Sequence, residues 1–370
     1  MTYRILTINP GSTSTKVGLF EGDEAVFTSN VAHEAAKLAE FTSISEQLPY
    51  RRDCILDTLR ENDVALADID AFVGRGGGLL SLVGGTYAVG DVMLDHARRG
   101  ANGVQHPANL GSQLANEFAA LAGGKPAFVV NPPDTDELCD YARVTGIKGV
   151  YRNVHLHALN LKETAIRHAV GMGKRYDECN FVVCHIGGGI SVSAHQQGRM
   201  VDGYDIVGGE GMMAPTRCGA VPVAELLNYL EAGHTTKEAR GMCMKTGGFV
   251  DLLGTSDARE VEARINDGDE AAKLVWETMC YQISKCIGAM AASLNGKVDG
   301  ILLGGGMVNS RTLVARIEEA CGWIAPVSTY PGEFELEAMA AGAVRVLNGE
   351  EQALEYTGKP AWSGFDCLND

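Results

Sequence analysis

Two stretches of this 370-residue chain carry the same succession of apolar runs and glycine turns. When LTINPGSTSTKVGLFEGDEAVF is laid over VVCHIGGGISVSAHQQGRMVDG, Gly187 falls 176 positions after Gly11 and Gly198 falls 176 after Gly22. Each stretch reads as strand, glycine turn, strand, glycine turn, strand. Matching β-meanders that open two halves of a chain predict two similar domains, each starting with a hairpin whose first turn faces a shared cleft.

The glycines sharpen this reading. Clusters follow the apolar runs LTIN, FVGR, FVVCHI and GILL, at Gly11, Gly76–Gly78, Gly187–Gly189 and Gly304–Gly306. Glycine at a strand exit lets a ligand approach bare backbone. Between these runs, Leu110, Leu114, Phe118 and Leu121 share one helical face, as do Val275, Met279, Ile283, Ile287 and Met290. Glu335–Leu347, ELEAMAAGAVRVL, reads as an amphipathic terminal helix. Strands alternating with helices make the class α/β.

A formal charge of −16 argues against general binding to nucleic acid or to an acidic membrane, since both require a positive field. Without a secretory leader pattern or a long apolar run, the chain reads as cytoplasmic. Its ten cysteines include no C-x-x-C pair and suit buried thiols better than a disulfide framework or a zinc site. Any phosphorylated ligand must therefore be held by local groups.

One such group is the turn at Gly11–Ser14, whose N–H groups and hydroxyls can face an anion, with Lys16 adding a positive charge. It is not a Walker A loop, because the continuation is β-like. A polar hairpin turn with an outward lysine is the competing reading. HIGGGISV supplies a second, bare turn, and two opposed hairpins could grip the phosphates of one nucleotide.

The motifs TINPGSTSTK, HPANL, HALN, HIGGGISV, GGEGMMAPTRCGAVPV, LLGGGMVNS and YPGEFELEAMAAGA resemble, in order and spacing, those of the acetate and butyrate kinase family within the actin-like ATPase superfold. HALN and PGEFELEA are similar to the forms of the butyrate kinase branch. The resemblance implies two actin-like (ribonuclease H-like) domains around a nucleotide cleft. The expected spans are residues 1–155 and 156–340, with residues 341–370 as a terminal helix and tail packing back on the first domain.

The resemblance also implies roles for single residues. Asn9, Ser12, Ser14 and Lys16 would meet the β/γ-phosphates of ATP. His185 and Gly187, Gly188 and Gly189 would form the second phosphate turn, and Gly304, Gly305, Gly306 and Asn309 would lie near the adenosine. Arg75 and Arg217 would hold the substrate carboxylate and the transferring phosphoryl group, with His106 on the substrate side. His157 would be a catalytic histidine, with His155 as the alternative.

Glu335 would sit beside Mg2+, with Glu333 as the nearby alternative and Asp136 as the second acid. Asn131 stands where the family normally has Asp, and Asp134 lies close by in the sequence. Met212 and Met213, in GMMAPTRCG, would either shape an acyl pocket or fill the core. The implied reaction is reversible phosphorylation of a short-chain carboxylate, butyrate or similar, to acyl phosphate plus ADP by a homodimer or larger homo-oligomer. Acetate or propionate is the alternative acceptor. An actin-like nucleotide-binding module without carboxylate kinase activity is the alternative of another class.

Overall fold

The computed structural model describes residues 2–368. They form two compact units, residues 2–136 with Phe334–Phe365, and Glu137–Glu333 with residues 366–368. The first change of unit lies between Asp136 and Glu137, well ahead of the boundary expected near residue 155. Glu137 explains this. Its buried carboxylate accepts from Lys162 Nζ and from the Met200 N–H, both at 2.8 Å, and both partners belong to the second unit.

In the first unit, β1 (Arg4–Pro10), β2 (Ser14–Glu21) and β3 (Glu24–Ala32) form an antiparallel meander. β4 (Ala71–Gly74) pairs parallel to β1, β6 (Ala127–Val130) parallel to β4, and β5 (Thr86–Ala88) antiparallel to β6. A short edge strand, Leu354–Glu355, completes the sheet. β1 and β4 are apolar runs buried on both faces, as helix-covered strands must be. β3 alternates half-buried Phe27, Ser29 and Val31 with exposed residues, which suits an edge.

Helices α1 (Leu48–Glu61) and α2 (Leu110–Leu121) pack on this sheet. Leu110, Leu114 and Phe118 are buried as their spacing predicts, whereas Leu121, the last helical residue, is 58% exposed where the chain turns away. The helix Glu335–Leu347 packs against β1, β2 and β6. Gly342 permits its close approach, because a Cβ there would lie 2.6 Å from Val130 Cγ1.

The second unit repeats the plan. β7 (Asn180–Ile186), β8 (Ile190–Gln196) and β9 (Arg199–Asp202) form the second meander, while β10 (Gly300–Gly305) and β11 (Val327–Pro331) continue the sheet in parallel. Strand order β3-β2-β1-β4-β6 in one sheet thus matches β9-β8-β7-β10-β11 in the other. This duplicated arrangement is the two-domain actin-like fold.

Helix α3 (Ala158–Gly171) packs on β7 and β10. The 24-residue α4 (Glu270–Ser293) is capped by Asp269, whose carboxylate accepts from the N–H groups of Ala271 and Ala272, both at 3.0 Å. It buries Trp276, Met279, Ile283, Ile287 and Met290. Each such side chain contributes roughly 1.5–3 kcal/mol when fully buried. The Gly304–Gly306 run leads into one tight turn, and the following helix, α5 (Arg311–Cys321), starts only after Ser310.

Candidate active site

The first unit supplies one set of polar residues. β1 and β2 join through Gly11–Thr13, where the Gly11 N–H donates to the Ser14 carbonyl at 2.7 Å. Ser12 is exposed in this turn, while Asn9, Ser14 and Lys16 are half-buried. Asn9 Nδ2 donates to Glu335 Oε2 at 2.6 Å, joining the end of β1 to the first residue of the C-terminal helix.

Arg75 leaves the end of β4 and is 8% exposed. Among the described residues its hydrogen-bond acceptor is the Asn131 carbonyl, at a long 3.4 Å. Burial pulls its proton affinity down, against the opposing charges of Glu335 and Asp134. A guanidinium so sparingly used is equipped to take an anion.

His106 caps a single helical turn, its Nδ1 accepting from the Ala108 N–H at 3.1 Å, which leaves the proton on Nε2. Its side chain keeps solvent contact, yet desolvation by surrounding atoms, then the charges of Arg75 and Arg51, push its pKa down and keep it neutral.

Asn131 has a task that sequence does not reveal. Its φ of +39° lies in the left-handed region, which Asn tolerates better than most residues. Its Oδ1 accepts from the Gly85 N–H at 2.8 Å, and its own N–H donates to the Gly85 carbonyl at 3.0 Å. Asp134 Oδ1 accepts from Asn102 Nδ2 at 2.6 Å, and Asp136 is buried with its N–H on the Leu82 carbonyl.

Among the described residues no cluster of three or more His, Cys, Asp or Glu could hold a metal ion. Magnesium requires no such cage: one or two carboxylates, waters and nucleotide phosphates suffice. Glu335, fixed by Asn9 and close enough to Arg75 to influence it, provides a donor of the right chemistry.

The second unit carries polar residues of its own. Gly187–Gly189 joins β7 to β8, and Thr216 clamps it by donating its N–H and hydroxyl to the Gly188 carbonyl at 3.3 and 2.9 Å. Arg217 follows and lies over Gly189, where an added Cβ would come 2.2 Å from Nη1. Among the described residues its buried Nε and Nη1 have no hydrogen-bond partner. Burial pulls this guanidinium's proton affinity down and Asp205 pushes it up.

The two candidate histidines diverge. His157 stacks on His185, with ring centroids 4.2 Å apart, and its Nδ1 lies 2.8 Å from Ser191 Oγ. The same hydroxyl oxygen accepts from the His157 N–H at 3.2 Å, so Ser191 holds both the backbone and the ring of His157. His155 instead has Nδ1 2.9 Å from Asp205 Oδ1. His157 therefore lies at the glycine turn, and His155 is tied to the acid that acts on Arg217.

A cavity of about 690 Å³ opens beside this turn, lined by Gly187, Gly188, Pro215, Gly306, Asn309 and Glu333 together with Ser256–Arg259, Glu262 and Trp276. Its size suits a nucleotide-sized ligand. Of the residues expected at a nucleotide site, Gly187, Gly188, Gly306 and Asn309 line this cavity and Gly189, Gly304 and Gly305 do not, while sequence reasoning named none of the wall formed by Asp257, Glu262 and Trp276. Glu262 Oε1 accepts from Ser310 at 2.7 Å and Thr312 at 2.6 Å, a pairing across about fifty residues that no local motif announces. Ser191 was within reach, since it directly follows the GGGI turn. Met212 and Met213 are buried in the core of this unit.

Residues 149–323 match the family model described as the acetokinase family. The chain is 43% identical over 357 residues to a probable butyrate kinase of Clostridium botulinum (strain Eklund 17B / Type B), covering 96% of this chain and 100% of that one. Among solved structures it is similar to acetate kinase of Porphyromonas gingivalis, with a TM-score of 0.72 and 20% identity over 93% of this chain and 100% of that one. It is also similar to a propionate kinase of Francisella tularensis subsp. tularensis SCHU S4, with a TM-score of 0.70 and 18% identity over 92% and 98%. At these identities the two structures speak to fold.

Proposed function

The chain belongs to the acetokinase family, and from that membership we propose that it transfers the γ-phosphoryl group of ATP to a short-chain carboxylate, butyrate or a near homologue, forming acyl phosphate and ADP. The observation that carries the reading beyond family likeness is Arg217, a guanidinium with buried, unpartnered nitrogens beside a glycine turn and a nucleotide-sized cavity. Burying such donors without acceptors costs on the order of 1–3 kcal/mol each, which an anionic ligand would offset. A nucleotide-binding module has no comparable need for a second, nearly acceptor-free arginine at Arg75.

The acceptor carboxylate is ionised at neutral pH and attacks the γ-phosphorus without a strong base, so the protein's task is positioning and charge neutralisation. Arg75 orients the acid, with neutral His106 donating from Nε2. Arg217 and the His157 ring stabilise charge on the transferring group. Asn9, Ser12, Ser14 and Lys16 hold phosphate oxygens, as do His185 and Gly187–Gly189, while Gly304–Gly306 and Asn309 border the adenosine. Mg2+ would be held by Glu335, with Asp136 as second acid, and would supply charge screening on the phosphates. On family likeness the reading extends to a cytoplasmic homodimer or larger homo-oligomer.

The test is a screen of C2–C6 carboxylates with ATP and magnesium, trapping acyl phosphate as the hydroxamate. Turnover highest at C4 supports butyrate, and highest turnover at C2 or C3 moves the acceptor to acetate or propionate. Silence across the series refutes the carboxylate kinase reading.

A further inference from the structure

Arg51 is wholly buried, yet no carboxylate of the described residues pairs with it. It lies in the first turns of α1, one helical turn beyond Gln47. Its Nε and Nη2 both donate to Gln47 Oε1, at 3.0 and 2.9 Å, so a neutral amide oxygen takes the forked position that a carboxylate ordinarily fills. Nη1 donates to Thr15 Oγ1 at 2.9 Å and to the Ser14 carbonyl at 3.3 Å. All of these acceptors are uncharged.

The turn above is held from several sides. The Ser14 carbonyl accepts from both Arg51 and the Gly11 N–H, and the Thr13 carbonyl accepts from the His33 N–H at 2.8 Å. His33 Nε2 lies 2.8 Å from Thr15 Oγ1, and its Nδ1 lies 3.2 Å from the Tyr50 hydroxyl. The carbonyl dipoles are thus engaged by protein donors, while the Ser12 and Thr13 residues remain exposed. The charge of Arg51 is felt across this region, since after desolvation it is a further cause holding down the proton affinity of both His33 and His106. A buried cation without a counter-charge is costly, and an anion bound above it would recover part of that cost.

We propose that Arg51 is a positioning residue for the nucleotide phosphates: it fixes the Gly11–Ser14 turn and supplies the uncompensated positive charge beneath it. The inference rests on the reading of that turn as a polyphosphate cradle. Gln47→Glu separates charge from scaffolding, because it keeps the shape and both hydrogen bonds to Arg51 while neutralising its field.

Calorimetric titration of the full chain with ATP and with AMP, at fixed magnesium, reads the effect. Gln47→Glu is expected to weaken ATP binding roughly tenfold, to leave AMP binding close to wild type and to keep the melting temperature at or above wild type. In turnover, KM for ATP rises while kcat holds. Arg51→Lys, which keeps a charge without the fork, is expected to lose less ATP affinity than Arg51→Met.

An unchanged ATP-to-AMP affinity ratio in Gln47→Glu overturns the proposal, as does equal loss in Arg51→Lys and Arg51→Met. Wild-type protein that binds ATP no better than AMP overturns it too. A preserved ATP-to-AMP difference with no acyl phosphate formed from any acid refutes the acceptor assignment and leaves Arg51's role supported by the binding shifts.

Discussion

Gly189→Ala tests the proposed role of Arg217 without touching the arginine. A Cβ at position 189 would lie 2.2 Å from Nη1, 2.6 Å from Cζ and 3.0 Å from Nη2 of Arg217. Ordinary contact begins near 3.4 Å, so the guanidinium must retreat by about 1.2 Å. The backbone at Gly189 is outside the left-handed region, so alanine brings no conformational strain there. What moves is the far end of a flexible side chain, and stability should change by less than about 1 kcal/mol.

Catalysis is less forgiving. A misplacement of about 1 Å at a reacting group can cost roughly 100-fold, equivalent to about 2.7 kcal/mol in the barrier. The expected result is a hydroxamate-assay kcat reduced about 100-fold, with the melting temperature and the affinity for ATP nearly unchanged. A kcat within about threefold of wild type, with the fold intact, would refute the argument that Arg217 must sit where Gly189 allows it to sit.

Other perturbations have distinct signatures. Arg217→Ala should lower acyl-phosphate formation by orders of magnitude while ATP affinity, by calorimetry, changes little; near-normal turnover would remove its assigned role. Ser191→Ala deletes the hydroxyl that holds the His157 ring and should lower kcat roughly tenfold with KM for the acid unchanged; a shift confined to KM would count against that positioning. Asn131→Asp keeps an oxygen for the Gly85 N–H, so the half-saturating magnesium concentration should change less than twofold, whereas a large fall would show that this side chain reaches the metal. His33 is pushed down to about 4, by burial first and Arg51 second, so between about pH 6.5 and 4 the unfolded chain binds the extra proton and stability falls with pH. Urea midpoints followed from pH 7 to 4.5 should show that fall, and His33→Gln should flatten it.

Not every part of the site was equally legible. The glycine turns were visible because apolar strand and glycine exit are adjacent in sequence. The different surroundings of His155 and His157 were invisible, because their partners Ser191, His185 and Asp205 are more than twenty residues away in every case. Asn131 looked like a weakened metal ligand when judged against a family pattern, whereas its left-handed backbone and its bond to Gly85 give it a structural reason to be asparagine.

Local spacing alone determined the two meanders, their 176-residue relationship and the helix Glu335–Leu347, since hydrophobic period and glycine placement act over a few residues. Tertiary structure decided which charged groups have partners. Arg51, Arg75 and Arg217 are alike in sequence, but among the described residues one is forked on an amide, one holds a distant carbonyl, and one has buried Nε and Nη1 with no acceptor. Those differences arise from long-range packing, because the cost of a buried charge depends on everything that surrounds it. The change of unit at Glu137 follows the same logic, since its carboxylate bonds to Lys162 and Met200, both distant in sequence.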